Sequence, residues 1–573
     1  MEYKSENKIC QNCKKDFIIE PDDFLFYEKI NVPPPTFCPE CRMTRRMVWR
    51  NERSLFKRTC DFTGKSIITM FNPEVGVKVY DRDIWWSDKW DPSDYGMEYD
   101  FNKPFFEQYK ELLLKVPLQN LGNNNCINSP YVNHALDVKN CYFVYASYLA
   151  EDTLYSLGAS SLKNCIDTYK IQKCEECYET TLSGGSYKVS FSFGVEQCID
   201  SFFMWECTNC QDCIGCINLR NKKYCILNEQ YTKEEYEKKK NDLDFGSFKI
   251  LKDFKEKYKN FILKYPYKYA GIFKSVNCNG DNIMNSKNIQ NCFDIYGLVE
   301  DSKYLSHGFD AKDSYDMYGF GVGASFMYEG VDSGLKASNN LFCVLNHGSM
   351  NTKYTYMCYN SKNLFGCIGI KKGEYCILNK KYSKEEYEEL IPKIIKHMND
   401  MPYIDSKGRI YKYGEFFPSE LSPFAYNETI AQEYYPKKIN EIIENGFIYR
   451  KPLDRDYVIT LESKDLPDHI KDVNENILDE IISCPNKGGE LTQCTFAYRI
   501  VKEELNFLRR YNIALPRYCP NCRHYERLSQ RNPMKLWPRS CMKEGCNNTF
   551  ETSYSPDRPE IVYCEKCYQE EVY

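Results

Sequence analysis

Cysteine pairs near the N-terminus have the spacing of metal ligands. Two Cys-x2-Cys pairs flank residues 14–37, and two such knuckles can complete a tetrahedral site for one metal ion. The chain has only six histidines, none at a suitable spacing, so ligation by cysteine alone is expected. We predict structural zinc here, although the same spacing also allows a rubredoxin-like iron site. The four ligands would be Cys10, Cys13, Cys38 and Cys41.

Eight cysteines near the C-terminus predict two further zinc sites. In the first site nine residues, rather than two, separate the first pair of cysteines, and a longer hairpin can still bring both thiolates together. The second site has two compact knuckles. The first set is Cys484, Cys494, Cys519 and Cys522, and the second set is Cys541, Cys546, Cys564 and Cys567. The sequence therefore predicts about three Zn²⁺ ions per chain.

The two ends of the chain are copies of one module. CPECRMTRRMVWRN at 38–51 matches CPNCRHYERLSQRN at 519–532. The second metal site is intact only in the C-terminal copy. Its four counterparts near the N-terminus are Cys60, Lys65, Asp81 and Ile84. Because two of these side chains cannot act as metal ligands, we predict that Cys60 is a packed thiol.

The residues that follow the second knuckle of each module are compatible with a helix. A knuckle that opens a helix resembles the zinc-ribbon and treble-clef families, here over about 45 residues at each end. The whole chain resembles zinc-ribbon-containing bacterial proteins of uncharacterised activity. This resemblance implies small α+β zinc-binding modules, and it implies no reaction.

Each predicted helix carries three arginines at positions i, i+4 and i+8, which lie on one face. A helix with such a stripe can contact phosphates, so we predict contact with RNA or DNA. The formal net charge of −5 confines this contact to a local surface. The alternative is pairing with the acidic segments at 22–23 and 503–504. The six residues are Arg42, Arg46, Arg50, Arg523, Arg527 and Arg531.

The middle of the chain is an internal duplication of one repeat unit. CILNEQYTKEEY at 225–236 matches CILNKKYSKEEY at 376–387, and the first unit has a finer 12-residue period. Columns of small residues at a fixed period predict a duplicated β-solenoid, and whether one coil takes one such period or two is left open. A β-meander is the alternative. Capping boxes that begin at Thr232 and Ser383 predict capping helices over 233–262 and 384–398.

A run of four cysteines in the first unit is close to the spacing of an iron–sulfur motif. Every member occupies one of the inward columns, and the second unit has Cys358, Ser361, Leu364 and Cys367 in their place. We therefore predict a ladder of small core side chains. An iron–sulfur redox protein is the alternative. The run consists of Cys207, Cys210, Cys213 and Cys216.

No familiar catalytic motif occurs, and no signal peptide or membrane span is evident, so we expect a cytoplasmic protein with reduced thiols. We predict a multidomain, mainly β chain that acts as a non-catalytic zinc-binding scaffold or adaptor with a protein or nucleic-acid partner. An enzyme with its site on the solenoid face is the alternative, for which Asp301, Asp310, Asp313 and Asp316 are the candidates. The predicted divisions are 1–115 (zinc module), 120–270 and 271–400 (repeat copies), 401–480 (connector) and 481–573 (double zinc module).

Overall fold

The predicted β-solenoid is confirmed by a computed structural model, which describes residues 3–453 and 457–572. The solenoid has about 21 turns. In the first copy each strand pairs in parallel with the strand one period further on, as Leu136 does with Tyr148. One coil therefore takes a single period, and not two. The alternative of a β-meander is wrong, because its neighbouring strands would be antiparallel.

Each coil of the first copy is four-sided. Every third residue has a positive φ and forms a corner, for example Asn140 (53°) and Phe143 (53°). The residue after each corner points inward, as the buried Cys141 and Val144 do. Only four side chains per coil share this narrow interior, which explains the columns of small residues. Asparagine and aspartate are common at corners because they tolerate this backbone conformation.

Several coils of the second copy are one position longer than those of the first. Tyr315 of the strand Tyr315–Phe320 pairs with Tyr328, so the pairing offset is thirteen positions rather than twelve in this coil. The offset is twelve again where Ser338 pairs with Met350. The coil length of the second copy therefore varies, from eleven positions where Ile272 pairs with Ile283 to thirteen in several later coils.

The parallel strands of the solenoid are short and follow one another coil by coil. In the first copy they are Asn124–Ile127, Leu136–Lys139, Tyr148–Glu151, Ser160–Lys163, Tyr187–Ser190, Ile199–Trp205, Gln211–Ile217 and Lys223–Ile226. In the second copy they are Ile272–Phe273, Val276–Met284, Lys287–Ile295, Val299–Lys303, Ser306–Gly308, Ala311–Lys312, Tyr315–Phe320, Ala324–Ser325, Tyr328–Val331, Ala337–Val344, Met350–Tyr356, Lys362–Phe365 and Glu374–Ile377. Isolated parallel bridges continue the ladder between them.

Twelve α-helices lie within the described residues, and none is long and apolar enough to cross a membrane. They are α1 (Pro21–Lys29), α2 (Pro39–Met47), α3 (Arg82–Trp85), α4 (Phe105–Lys115), α5 (Lys233–Asp242), α6 (Phe248–Ile262), α7 (Lys384–Asp400), α8 (Ile430–Tyr434), α9 (Ile439–Glu444), α10 (Lys502–Tyr511), α11 (Pro520–Leu528) and α12 (Glu565–Val572).

Both predicted capping boxes are present. The hydroxyl of Thr232 accepts from the N–H of Glu235 at the start of α5, and Ser383 does the same at the start of α7. The helical segment after the first copy is broken at residues 243–247, and α6 begins anew behind its own N-cap, Ser247. Helix α6 lies on the side of the solenoid, where the hydroxyl of Tyr258 donates to the carbonyl of Cys216 over 3.3 Å.

The small modules are built from hairpins and short helices. In the N-terminal module the hairpins pair Glu6–Ile9 with Asp16–Ile19 and Phe56–Thr59 with Ser66–Thr69. The C-terminal module pairs Ile482–Ser483 with Ala497–Tyr498 and Trp537–Ser540 with Thr549–Thr552. Further two- and three-residue strands are Val79–Tyr80, Leu118–Gln119, Glu229–Gln230, Pro266–Lys268, Lys380–Lys381, Tyr403–Ile404, Ile410–Tyr411 and Ile561–Tyr563.

Residues 401–450 fill the space between the N-terminal module and the second solenoid copy. Phe417 is fully buried and packs against Trp49 of the module and Tyr354 of the solenoid, with ring centroids 4.8 and 5.8 Å away. The segment also contains α8 and α9. It therefore belongs to the core that joins these two parts.

Candidate metal centres

Three groups of four cysteines have their sulfur atoms within 4.8 Å of one another. These groups comprise the twelve cysteines predicted to bind zinc. A tetrahedral ion with metal–sulfur bonds of about 2.3 Å requires sulfur atoms about 3.8 Å apart. The Sγ–Sγ distances are 3.7 Å for Cys13–Cys38, 3.8 Å for Cys484–Cys522 and 4.0 Å for Cys494–Cys519. Each group could therefore hold one metal ion.

The N-terminal site lies where a hairpin meets a helix. Cys10 and Cys13 belong to the turn between the first two strands, where Lys14 has a φ of 61°. Cys38 is the N-cap of α2, and its backbone N–H donates to the sulfur of Cys10 over 3.3 Å. The second knuckle therefore opens a helix, as the sequence predicts.

The first C-terminal site has the same construction despite its longer loop. Cys519 is the N-cap of α11, and its N–H donates to the sulfur of Cys484 over 3.4 Å. The side-chain amide of Asn486 donates to the sulfur of Cys522 over 3.0 Å. Asn12 makes the equivalent bond to Cys41 over 3.3 Å in the N-terminal site. The longer loop therefore keeps the ligand geometry and its supporting bonds.

One cysteine in each of these two sites has a lowered pKa, while the same contacts raise the pKa of others in the site, such as Cys41 and Cys522. Hydrogen bonds from Cys38 and Cys41 hold the pKa of Cys10 well below its usual range. Hydrogen bonds from Cys484, Cys494 and Cys522 have the same effect on the pKa of Cys519. Thiolates are the form of cysteine that binds metal ions.

The degenerate site of the N-terminal module keeps the fold of its intact counterpart. In the intact site the N–H of Cys564 donates to the sulfur of Cys541 over 3.3 Å. In the degenerate site the N–H of Asp81 donates to the sulfur of Cys60, also over 3.3 Å. Cys60 is buried and belongs to no group of metal-ligand side chains among the described residues. It is therefore a packed thiol, as predicted.

The four cysteines of the first solenoid copy that resemble an iron–sulfur motif lie in its core. Each thiol donates to a backbone carbonyl two residues earlier, as Cys207 does to Trp205 over 3.3 Å. Cys207 also approaches the carbonyl of Cys216 in the next coil at 3.7 Å. Within the described part of the chain, these cysteines do not form a group with all sulfurs inside 4.8 Å. Their geometry is that of a core ladder.

The arginines of α2 attach the N-terminal module to the second solenoid copy. Arg46 donates to Glu329 over 3.0 Å and forms an ion pair with Asp316 over the same distance. Arg42 donates to Asp316 over 2.8 Å, and Arg45 to Glu329 over 2.8 Å. All these side chains are almost completely buried. Burial alone would lower the pKa of Arg42, but the carboxylate of Asp316 raises it well above its usual value.

The arginines of α11 attach the C-terminal module to the first solenoid copy. Arg523 donates to Glu504 of its own module over 2.7 Å and forms an ion pair with Asp167 over 3.2 Å. Arg527 forms an ion pair with Asp167 over 2.9 Å. Arg531, just beyond the helix, donates to Asp294 of the second copy over 2.7 Å. The C-terminal module thus also bridges the two solenoid copies.

The two attachments are versions of one interface, which we call the arginine clamp. In each, two arginines one helical turn apart pair with an aspartate at a solenoid corner, namely Asp316 or Asp167. The first arginine also lies over the ring of a tyrosine one coil before that aspartate, at 5.3 Å for Tyr304 and 5.0 Å for Tyr155. The duplicated modules therefore dock on opposite copies, the first module on the second copy and the last module on the first.

The six arginines predicted to contact nucleic acid are thus engaged inside the protein. Their side chains are at most 8% exposed. The alternative of pairing with the acidic segments holds for Glu504, whereas Asp23 pairs with Lys303 instead. Contact with RNA or DNA stays a prediction, and it would have to use other side chains.

Buried polar groups between the two solenoid copies could not be recognised from the sequence. Lys170 of the first copy contacts Asp294 of the second over 2.7 Å, and His307 lies 3.1 Å from the same carboxylate. Burial lowers the pKa of Lys170 to about 7, against the opposing effect of Asp294. Burial would raise the pKa of Asp294, but Arg531 and Lys170 lower it to about 2. No motif marks these residues, because Lys170 lies more than a hundred positions before its partners Asp294 and His307.

The four aspartates considered for catalysis have separate partners. Asp316 belongs to the arginine clamp, and Asp313 pairs with Lys29 over 3.0 Å. Asp301 accepts from Asn288 over 3.0 Å, and Asp310 accepts from the N–H of Leu298 over 2.9 Å. Three of the four, all but Asp310, have a positive φ and occupy corners.

Comparisons with known proteins do not assign this chain to a family. No protein-family model matches the chain, and no curated protein matches it. A solved structure of a putative acetyltransferase from Desulfovibrio desulfuricans G20 is 9% identical, over 52% of this chain and 76% of that chain, with a TM-score of 0.11. A score this low supports no inference about fold or function.

Proposed function

We propose that this chain is a non-catalytic, zinc-binding scaffold or adaptor, in which a duplicated solenoid holds two zinc modules in fixed positions. The observation that carries the proposal is the repeated arginine clamp. It attaches both modules to the solenoid through buried ion pairs, and such attachment suits a rigid platform. The solenoid would present a long surface to a protein partner, as repeat proteins commonly do.

The chemistry of the cysteine groups supports zinc in a structural role. Each group supplies four thiol ligands from the protein, which leaves no open position for water or substrate. Closed four-cysteine sites of this kind are typical of zinc-ribbon and treble-clef modules. Bound zinc would stabilise the knuckles, and Cys38 and Cys519 would connect it to α2 and α11. The metal would thus stabilise the helices that carry the clamps.

The cysteine content supports a reducing compartment such as the cytoplasm. All thirty cysteines are free thiols, and most are buried in the solenoid core or grouped at the metal sites. Thiols in such numbers persist where glutathione and thioredoxin keep them reduced.

Hydrogen exchange with and without a strong zinc chelator tests the structural role of the metal. We expect chelation to increase exchange in α2, α11 and α12, while the middle coils of each solenoid copy stay protected. Unchanged exchange in these helices would contradict a structural role.

The adaptor role is tested by proximity labelling in the native cell, comparing the wild type with Arg527→Met, which weakens one clamp. We expect a reproducible partner whose labelling falls in the variant and is unchanged in the surface control Lys139→Met. Equal labelling of that partner by wild type and Arg527→Met would refute the proposed role of the clamped module.

A further inference from the structure

One side of the second solenoid copy carries an exposed apolar stripe. Six consecutive coils each contribute one large apolar side chain at this side, with exposed fractions between 39 and 68%. All six lie on this side of the solenoid: Phe273 pairs with Met284, and the offset between Ala324 and Ala337 places Val322 level with Leu335. Leu298 is displaced along its coil, because the residue level with Met284 is Tyr296. Two charged side chains lie beside them: Lys268 is 4.7 Å over the ring of Phe273, and Asp310 accepts from the backbone N–H of Leu298 over 2.9 Å. The stripe consists of Phe273, Met284, Leu298, Phe309, Val322 and Leu335.

The wider coils of the second copy help to create the stripe. In three coils this side has three residues between its two inward-pointing residues, instead of two. The exposed apolar residue is the last of the three for Leu298 and the central one for Val322 and Leu335. Glycines beside them keep the side flat, namely Gly297, Gly321, Gly323 and Gly334. The additional residues therefore widen a surface and add apolar groups to it.

The first solenoid copy supplies an internal comparison. Its equivalent side is formed by the residues that come directly after one column of inward-pointing residues, the column that contains Ala159 and Cys207. After Tyr148 that side becomes polar or small, with Ser160, Gln172, Gly184, Glu196 and Thr208. A continuous apolar stripe is thus a property of the second copy and is not required by the solenoid fold.

The area of the stripe is large enough to matter. Six half-exposed side chains of this size present roughly 500 Å², which is close to the largest patch on typical soluble monomers, about 300–600 Å² and often functional. Two such stripes together would bury roughly 1,000 Å², the lower bound for a specific interface.

The spacing of the stripe identifies the occupant that fits it. Parallel strands lie about 4.8 Å apart, so the six side chains span about 24 Å. A helix repeats about every 5.4 Å and an extended strand presents one face about every 6.7 Å, so either would drift out of step along the stripe. An identical stripe has the same repeat and stays in step throughout. We propose that the stripe is a self-association surface, against which the stripe of a second copy of this chain packs.

Sedimentation equilibrium of the full-length, metal-loaded chain tests this proposal. We expect a concentration-dependent dimer of the wild type. Phe309→Asp and Val322→Asp, each in the middle of the stripe, should raise the dimer dissociation constant at least about tenfold, because a carboxylate would be buried without a partner. The control is Gln172→Asp on the equivalent side of the first copy, which should change the constant less than about twofold.

Two outcomes would overturn the proposal. One is a wild-type chain that remains monomeric up to about 100 µM, well above the micromolar range of weak specific complexes. The other is a dimer whose dissociation constant is unchanged in both stripe variants. Loss of a different protein from Val322→Asp, with the wild type monomeric, would assign the stripe to that protein and equally refute self-association. Thermal unfolding of all variants, expected to match the wild type because the sites are exposed, confirms that they remain folded.

Discussion

Replacing Arg46 by methionine should release the N-terminal module from the solenoid. Arg42, Arg45 and Arg46 face three carboxylates, so the charges of this buried group balance. The three acidic partners are Asp316, Glu329 and Glu415. Removal of Arg46 leaves one negative charge uncompensated in a site where the partners of Arg46 are fully buried. Breaking a buried pair in this way typically costs about 3–5 kcal/mol.

The loss should depend on pH. Burial raises the pKa of Glu329, although Arg45 and Arg46 oppose this effect. Without Arg46 the carboxyl group would gain a proton more readily, and a neutral Glu329 relieves part of the charge imbalance. The destabilisation should therefore be larger at pH 8 than at pH 5.5.

Local opening free energies from native-state hydrogen exchange of α2 measure this effect, since unfolding of a chain of several parts is not a single transition. The double variant Arg46→Met, Glu329→Gln restores the charge balance and should recover part of the loss. The control is Lys139→Met, whose exposed pair with Glu151 at 2.9 Å should contribute little to stability. Two results would refute the account of the clamp. One is an Arg46→Met variant that loses no more stability than the control, and the other is a double variant in which the effects of Arg46→Met and Glu329→Gln simply add.

Three further predictions concern the solenoid and its seam. The pKa of Asp294 in the folded protein is about 2, below its ordinary value. Its ionised form therefore contributes about 2 kcal/mol to the free energy of unfolding above pH 4, and this contribution is lost as the pH falls to 2. In acid-unfolding curves, the stability difference between wild type and Asp294→Asn should narrow over this pH range. Gly280→Ala should disrupt the first coils of the second copy, because φ is 136° and the new Cβ would lie 1.8 Å from the carbonyl oxygen of Cys292. The control Gly64→Ala has open space around the new Cβ and should cost only about 1 kcal/mol of stability. Equal melting temperatures for the two variants would contradict the predicted clash at Gly280. Cys210→Ala should leave the bound metal unchanged in elemental analysis, because this thiol belongs to the core ladder, whereas a loss of iron or zinc would show that it is a ligand.

The metal sites and the solenoid could be predicted because the cysteine spacing and the 12-residue period that indicate them are local properties of the chain. Thiolates two residues apart must share one face of a turn, and small residues that recur at a fixed interval must stack. The degenerate site could be recognised for the same reason, since Lys65 and Ile84 cannot replace thiols.

The partners of the arginines could not be predicted, because they depend on how distant parts of the chain dock. Asp167 and Asp316 occupy corners, and many other aspartates and asparagines do the same without contacting a module. Nothing near Arg42 indicates that its carboxylate lies in the second copy rather than at 22–23. The stripe was hidden for a different reason: the additional residues at Leu298 and Val322 shift the register, so a fixed period does not align them.

Native mass spectrometry combined with elemental analysis tests the central claim most directly, that the chain holds three structural zinc ions. We predict three zinc ions per wild-type chain, still three in Cys60→Ser, and two in Cys522→Ser. A wild-type count other than three, a metal other than zinc, or a lower count in Cys60→Ser would contradict the account.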